Sequence, residues 1–140
     1  MAPQEHRVIG FLFRKPKFPV ICEVHGLLIG AETPAEFEKQ IATAKIPIDE
    51  DLPIVDATGE GWAFHTGYMV ISPLTFKKTW TKKEVIDMFN GSNTARQAGM
   101  EYAAKSLSSK RLGQIIKEID ALIRKANKVT HRPATKSGSQ

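Results

Sequence analysis

The chain predicts an α+β fold: a small antiparallel sheet of three to five strands, with a short N-terminal helix and C-terminal helices packed on one side. Three observations carry that expectation. The sequence before Trp62 is strand-like and acidic, and the sequence after Trp80 is helical and basic. Between them, Trp62–Trp80 holds both tryptophans together with Phe64, Tyr68 and Phe76. Rings of this size dominate core burial, so this segment is expected to hide the largest surface. With 140 residues, 41% apolar and 25% charged, the chain has material for one domain core rather than two. That domain is taken as 1–129, with 130–140 as a disordered basic tail.

Val8 to Phe13 is a short apolar run that reads as a buried strand, with Gly10 marking a bulge or a close approach. Two prolines and three cations between Arg14 and Pro19 break it. From Val20 to Ile29 the chain alternates: Val20, Cys22 and Val24 point one way, Ile21, Glu23 and His25 the other, and Gly26 interrupts. The two runs together suggest an antiparallel hairpin with an irregular connection. Thr33-Pro34-Ala35-Glu36 begins a helix, with Thr33 as cap, Pro34 in the first turn and Glu36 placed to close a capping box. Its inward face is Phe37, Ile41 and Ala44.

Ile46 to Gly61 contains two prolines, two glycines and five acids, and reads as a surface loop with a short strand at Pro53–Val55. Next, Trp62–Thr66 and Tyr68–Ser72 form either a tight hairpin turned at Gly67 or one bulged strand. Here Ala63, His65, Met69 and Ile71 alternate against Trp62, Phe64, Tyr68 and Val70. Thr81-Lys82-Lys83-Glu84 offers a second capping box, with Trp80 and Val85 at staple positions. Val85, Ile86 and Phe89 form that helix's buried stripe, and Asn90-Gly91 should end it in a left-handed cap. A further helix starts at Thr94, with Ala95, Ala98, Gly99, Tyr102 and Ala103 at helical spacing, and Ser106–Ser109 is a break or kink. The last helix is the most regular: Leu112, Ile115, Ile116, Ile119, Leu122, Ile123 and Ala126 trace one apolar stripe.

The net charge of +5 is unevenly placed. Residues 1–60 carry 6 Lys+Arg against 10 Asp+Glu, and residues 105–140 carry 9 against 2. The basic excess therefore belongs to the C-terminal quarter, which points to an anionic partner. Lys110, Arg111, Lys117, Arg124, Lys125 and Lys128 lie on the outward side of the last helix, and phosphate backbones reward such a face through counterion release. The first expectation is therefore a non-enzymatic binding module that contacts nucleic acid or an acidic protein surface through these six side chains. The apolar side of the same helix is assigned to intramolecular packing, with a homodimer seam as the alternative.

Two other classes are carried beside it. In one, a protein–protein adaptor or inhibitor uses the aromatic 62–80 surface. In the other, a small enzyme uses His65 or His25 with a nearby acid such as Asp56 or Glu60. No motif demands the last, so no catalytic residue, metal or cofactor is assigned. Cys22 lies on an alternating strand and reads as a small buried hydrophobe. One cysteine excludes an internal disulfide framework and suits the cytoplasm. No signal peptide or membrane span is expected from the apolar runs.

Overall fold

The computed structural model describes residues 8–103 and 106–130. Among these residues six strands, β1 (Gly10–Phe11), β2 (Val20–Val24), β3 (Leu27–Ala31), β4 (Asp51–Val55), β5 (Gly61–His65) and β6 (Val70–Pro73), form one sheet in the order β1-β6-β5-β4-β2-β3. Neighbours run antiparallel except β1, which pairs parallel with β6. The class is α+β as expected, but the sheet is larger and mixed. Val8–Phe13 contributes only two paired residues, and these join the far edge of the sheet rather than a hairpin with Val20–Ile29.

Val20–Ile29 holds a hairpin of its own. His25 (φ 50°) and Gly26 (φ 91°) both take the left-handed region, giving a two-residue turn whose twist matches the flanking strands. The loop segment also hides a full strand, β4, which lies between β2 and β5. Its ladder to β2 covers only Ile21↔Val55 and Cys22↔Ile54 and stops at Pro53, which has no N–H to donate. β5 and β6 form the tight hairpin, but Ile71 faces the core beside Trp62 and Phe64 instead of lying with Ala63 and His65.

Among the described residues five helices accompany the sheet: α1 (Pro34–Thr43), α2 (Lys82–Asn90), α3 (Asn93–Ala98), α4 (Ser106–Ser109) and α5 (Leu112–Thr130). They lie on both faces, not one. Phe37 and Ile41 of α1 join Val20, Cys22, Ile29, Ile54, Trp62, Phe64 and Ile71 in one core, with Phe37 and Phe64 edge to face at 5.3 Å. Val85, Ile86, Phe89, Ala95, Ile115, Ile116, Ile119 and Ile123 of α2, α3 and α5 cover Ile21, Leu28 and Val55 in a second core. The cause is local: β2 and β3 are apolar at successive positions, so both of their faces need cover. Gly30 lets α5 approach, because a Cβ there would collide with Asp120.

The capping chemistry follows the sequence in most places. Thr33 Oγ1 accepts from the Glu36 N–H, while the Glu36 carboxylate reaches the Glu32 N–H, one residue before the cap. Thr81 and Glu84 complete a reciprocal capping box. α2 ends with Gly91 in a right-handed conformation, and the left-handed cap falls instead at Gly99, which stops α3 before Tyr102. Ser106–Ser109, read as a break, is the short helix α4. The exposed edge strand β3 is closed by side chains. Thr94 Oγ1 accepts from the Leu28 N–H at 2.8 Å, and the Asn127 amide donates to the Leu28 carbonyl at 3.0 Å. Apart from Thr130 at the end of α5, the tail expected from residue 130 lies outside the described residues.

The buried Asp56 carboxylate organises the β4–β5 connection. It accepts from the Thr58 N–H (2.8 Å) and hydroxyl (2.6 Å), the Glu60 N–H (3.1 Å), the Lys17 N–H (3.2 Å) and the Trp62 indole N–H (3.0 Å). Arg14 then forks onto Glu60 at 3.1 and 2.6 Å and lies over the Trp62 ring, 4.8 Å from its centroid. Removing Asp56 would strand an indole N–H inside the core. Asp56→Ala is therefore expected to lower the unfolding free energy by about 3 kcal/mol or more, read from urea titration of the tryptophan fluorescence.

Candidate functional site

Most of the apolar stripe of α5 is used within the chain: Ile115, Ile116, Ile119, Ile123 and Ala126 are completely buried, and Leu112 and Leu122 are half-buried. The opposite side of the rod carries the cations. At 100° per residue, Lys117, Lys125 and Lys128 fall within an arc of about 80°, spread over about 16 Å of helix axis. Arg111 stands just before the first turn. These four side chains are exposed and make no ion pair among the described residues.

The other two expected cations are engaged internally. Lys110 pairs with Glu118 Oε1 at 2.7 Å, where the Tyr102 hydroxyl also donates at 2.6 Å. The Lys110 ammonium holds the Glu118 carboxyl below its usual range. Arg124 meets Asp120 Oδ2 at 2.9 Å and Glu32 Oε2 at 3.4 Å. Glu32 belongs to the acidic early part of the chain, so this portion of the outward face is neutralised from across the fold. Helical spacing places all six cations outward. It does not show which of them a neighbouring element will reach.

Asp120 itself is completely buried, and its Oδ1 has no hydrogen-bond partner. Burial, opposed only in part by Arg124, pushes its carboxyl up to about 6.

His25 and His65 each have an acidic partner, but not the one expected. His25 sits in the β2–β3 turn rather than on a strand, with Nε2 2.9 Å from Glu50 Oε1. His65 Nδ1 lies 2.6 Å from Asp51 Oδ1, and its Nε2 lies 2.8 Å from Ser72 Oγ. Asp56 and Glu60 are committed to Trp62 and Arg14 and take no part. The Asp51–His65–Ser72 line crosses β4, β5 and β6, on the face of the sheet opposite the α1-side core. It could not be read from sequence, because Asp51 falls in a stretch that resembles a loop. Its partners lie 14 and 7 residues from one another along the chain. The cross-strand register brings them together.

Beside this line is a groove of about 320 Å³, lined by Asp51, Pro53, Ala63, Leu74, Lys78 and Trp80. A larger cavity of about 410 Å³ lies at the β3 edge among Leu27, Thr43, Ala44, Gln97 and Asn127, with Lys45 its lone ionisable lining residue. The aromatic 62–80 segment does not form one surface. Trp62 and Phe64 are core, Trp80 is half-buried, and Tyr68 and Phe76 are exposed. Burial pushes the Cys22 thiol well above its ordinary value, which suits packing and not attack.

The fold and these surfaces define the class: an α+β domain with a six-stranded mixed sheet between two helical layers. No family model matches the chain, and neither a curated protein nor a solved structure gives a match. Among the described residues, no helix is long and apolar enough to cross a membrane.

The buried carboxyl of Asp120 makes a prediction about stability. Its folded value exceeds that of a free aspartate, so the folded state binds more protons between about pH 4 and pH 6. Stability from this group is greatest below pH 4, falls as pH rises through 6, and is constant above. Asp120→Asn removes the dependence. Its stability relative to the wild type should therefore improve by about 2–3 kcal/mol between pH 4 and pH 7.5, measured by denaturant titration at each pH.

Proposed function

We propose that the protein is a non-enzymatic module that binds nucleic acid through the outward face of α5. The observation that carries this reading is the set Lys117, Lys125 and Lys128 on one side of α5, with Arg111 just before its first turn: all four are exposed and without an ion pair among the described residues. A rod length of about 16 Å faces about ten phosphates of a duplex, so four fixed cations can displace several condensed counterions. Contacts of this kind position a backbone and carry no base code. The expected binding is thus sequence-tolerant and strongly salt-dependent. Lys110 and Arg124 support the face from within and are not contacts. A reducing compartment such as the cytoplasm suits both the ligand and the lone buried Cys22.

A protein partner is the second reading. It is favoured by Tyr68 and Phe76, which expose 84% and 86% of their surface on the same aromatic segment. An acidic protein could also meet the α5 face.

Fluorescence anisotropy with a generic duplex and a single strand separates these. A plot of log affinity against log salt should have a slope of about −3 to −4 for the duplex. Lys117→Glu with Lys125→Glu should remove binding, whereas Tyr68→Ala with Phe76→Ala should leave it unchanged. Absence of binding at low salt sinks the nucleic-acid reading. Stoichiometric capture of a protein that depends on Tyr68 and Phe76 would favour the second.

A further inference from the structure

We propose that Ser72 is an activated nucleophile, served by His65 as base and by Asp51 as the residue that positions His65, and that it accepts an acyl group from a reactive ester or thioester. This site is separate from the α5 face and does not depend on the binding reading above.

The wiring is directional. A carboxylate oxygen only accepts, so the 2.6 Å contact to Asp51 requires His65 Nδ1 to donate. In the neutral ring the other nitrogen must then accept, and its partner is Ser72 Oγ at 2.8 Å. The serine proton therefore points at a base already held in the tautomer that can take it. The sheet fixes the geometry. Asp51 stands directly opposite His65, and Ser72 stands opposite Ala63, one diagonal step from His65 on the same face.

A purely structural tether would be a simpler use of these residues. Such a tether needs only the contact between His65 and Ser72. The Asp51 side chain is 71% exposed, where an ion pair contributes little to stability. What Asp51 does supply is the tautomer.

The groove gives the substrate class. Ala63, opposite Ser72, and Leu74, two residues beyond it, both line the groove, with Pro53 and Trp80 completing an apolar trough. Ser72 is 8% exposed and borders the groove without lining it, so a small acyl group such as acetyl is the one expected to reach Oγ.

In the step itself, Ser72 Oγ bonds to the acyl carbon and its proton passes to His65 Nε2. The bond to the alcohol or thiol then breaks, and that leaving group departs with the proton from Nε2. The product is acyl-Ser72. β6 pairs with β5 as far as Pro73 and with β1 at Val70 and Ile71, so its amides are engaged chiefly in the ladder rather than aimed as a pair at Ser72. One slow acyl transfer is therefore expected, not rapid turnover.

The test treats the full chain with p-nitrophenyl acetate and, separately, with a fluorophosphonate, and locates the adduct by peptide mass spectrometry. Ser72 should be modified ahead of every other serine. His65→Gln should slow its modification about a hundredfold. Asp51→Asn, a change at an exposed side chain, should slow it about tenfold with the melting temperature unchanged. An unmodified Ser72 overturns the proposal. So does a Ser72 modified at the wild-type rate in a folded His65→Gln protein. If His65→Gln does not fold, an unchanged rate in Asp51→Asn overturns it alone.

Discussion

The Asp56 carboxylate is the contact on which the sheet depends. It closes the turn between β4 and β5 and takes the Trp62 indole N–H, so it fixes which way β5 faces. A slip of one residue there would send every side chain of the strand to the opposite face. With Trp62 and Phe64 directed into the α1-side core, Ala63 and His65 are turned to the other side. The same carboxylate reaches back to the Lys17 N–H, and Arg14 clamps Glu60 and covers the indole. The N-terminal arm is thereby tied to the hairpin that its own two-residue strand scarcely touches.

The helical layer on the second face is narrower than the sheet. On that face α5 and α3 lie on β3, and α5 also reaches β2. Trp80 and Leu74 cover Gly61, and the cover ends there. Polar side chains stand on this part of the sheet, from exposed Asp51 through half-buried His65 to buried Ser72. The two candidate surfaces thus arise from one packing decision. α5 buries its aliphatic side against β2 and β3 and turns its cations outward, while Asp51, Pro53, Ala63 and His65 of β4 and β5 keep partial or full exposure on that face.

Polar groups within the structure are almost all matched. Leu28 at the sheet edge is closed by Thr94 and Asn127, and Glu118 gathers Lys110, Tyr102 and Gln114. Among the described residues Asp120 is the exception, buried with one oxygen unpartnered. It sits where Gly30 makes room and where Arg124 can satisfy only its other oxygen. The deviation from full pairing is a cost of bringing α5 close to β3.

By itself the sequence determined the elements whose signals are local. Thr33-Pro34 and Thr81–Glu84 start helices because their side chains bond to amides three residues away. The stripe from Leu112 to Ala126 is buried because its spacing repeats with the helical turn. The excess of cations near the C-terminus was equally plain from composition. Tertiary structure alone decided what depends on distant partners. β4 became a strand because β2 and β5 flank it, despite Pro53 and its acids. The helices divided between two faces because β2 and β3 are apolar on both. Lys110 and Arg124 were neutralised by Glu118, Asp120 and Glu32, and His65 was wired to Asp51 and Ser72 rather than to Asp56 or Glu60. Capping and periodicity act within a turn or two of the backbone, where the order of residues fixes the geometry. Strand register and ion pairing join residues whose separation along the chain says nothing about their separation in space.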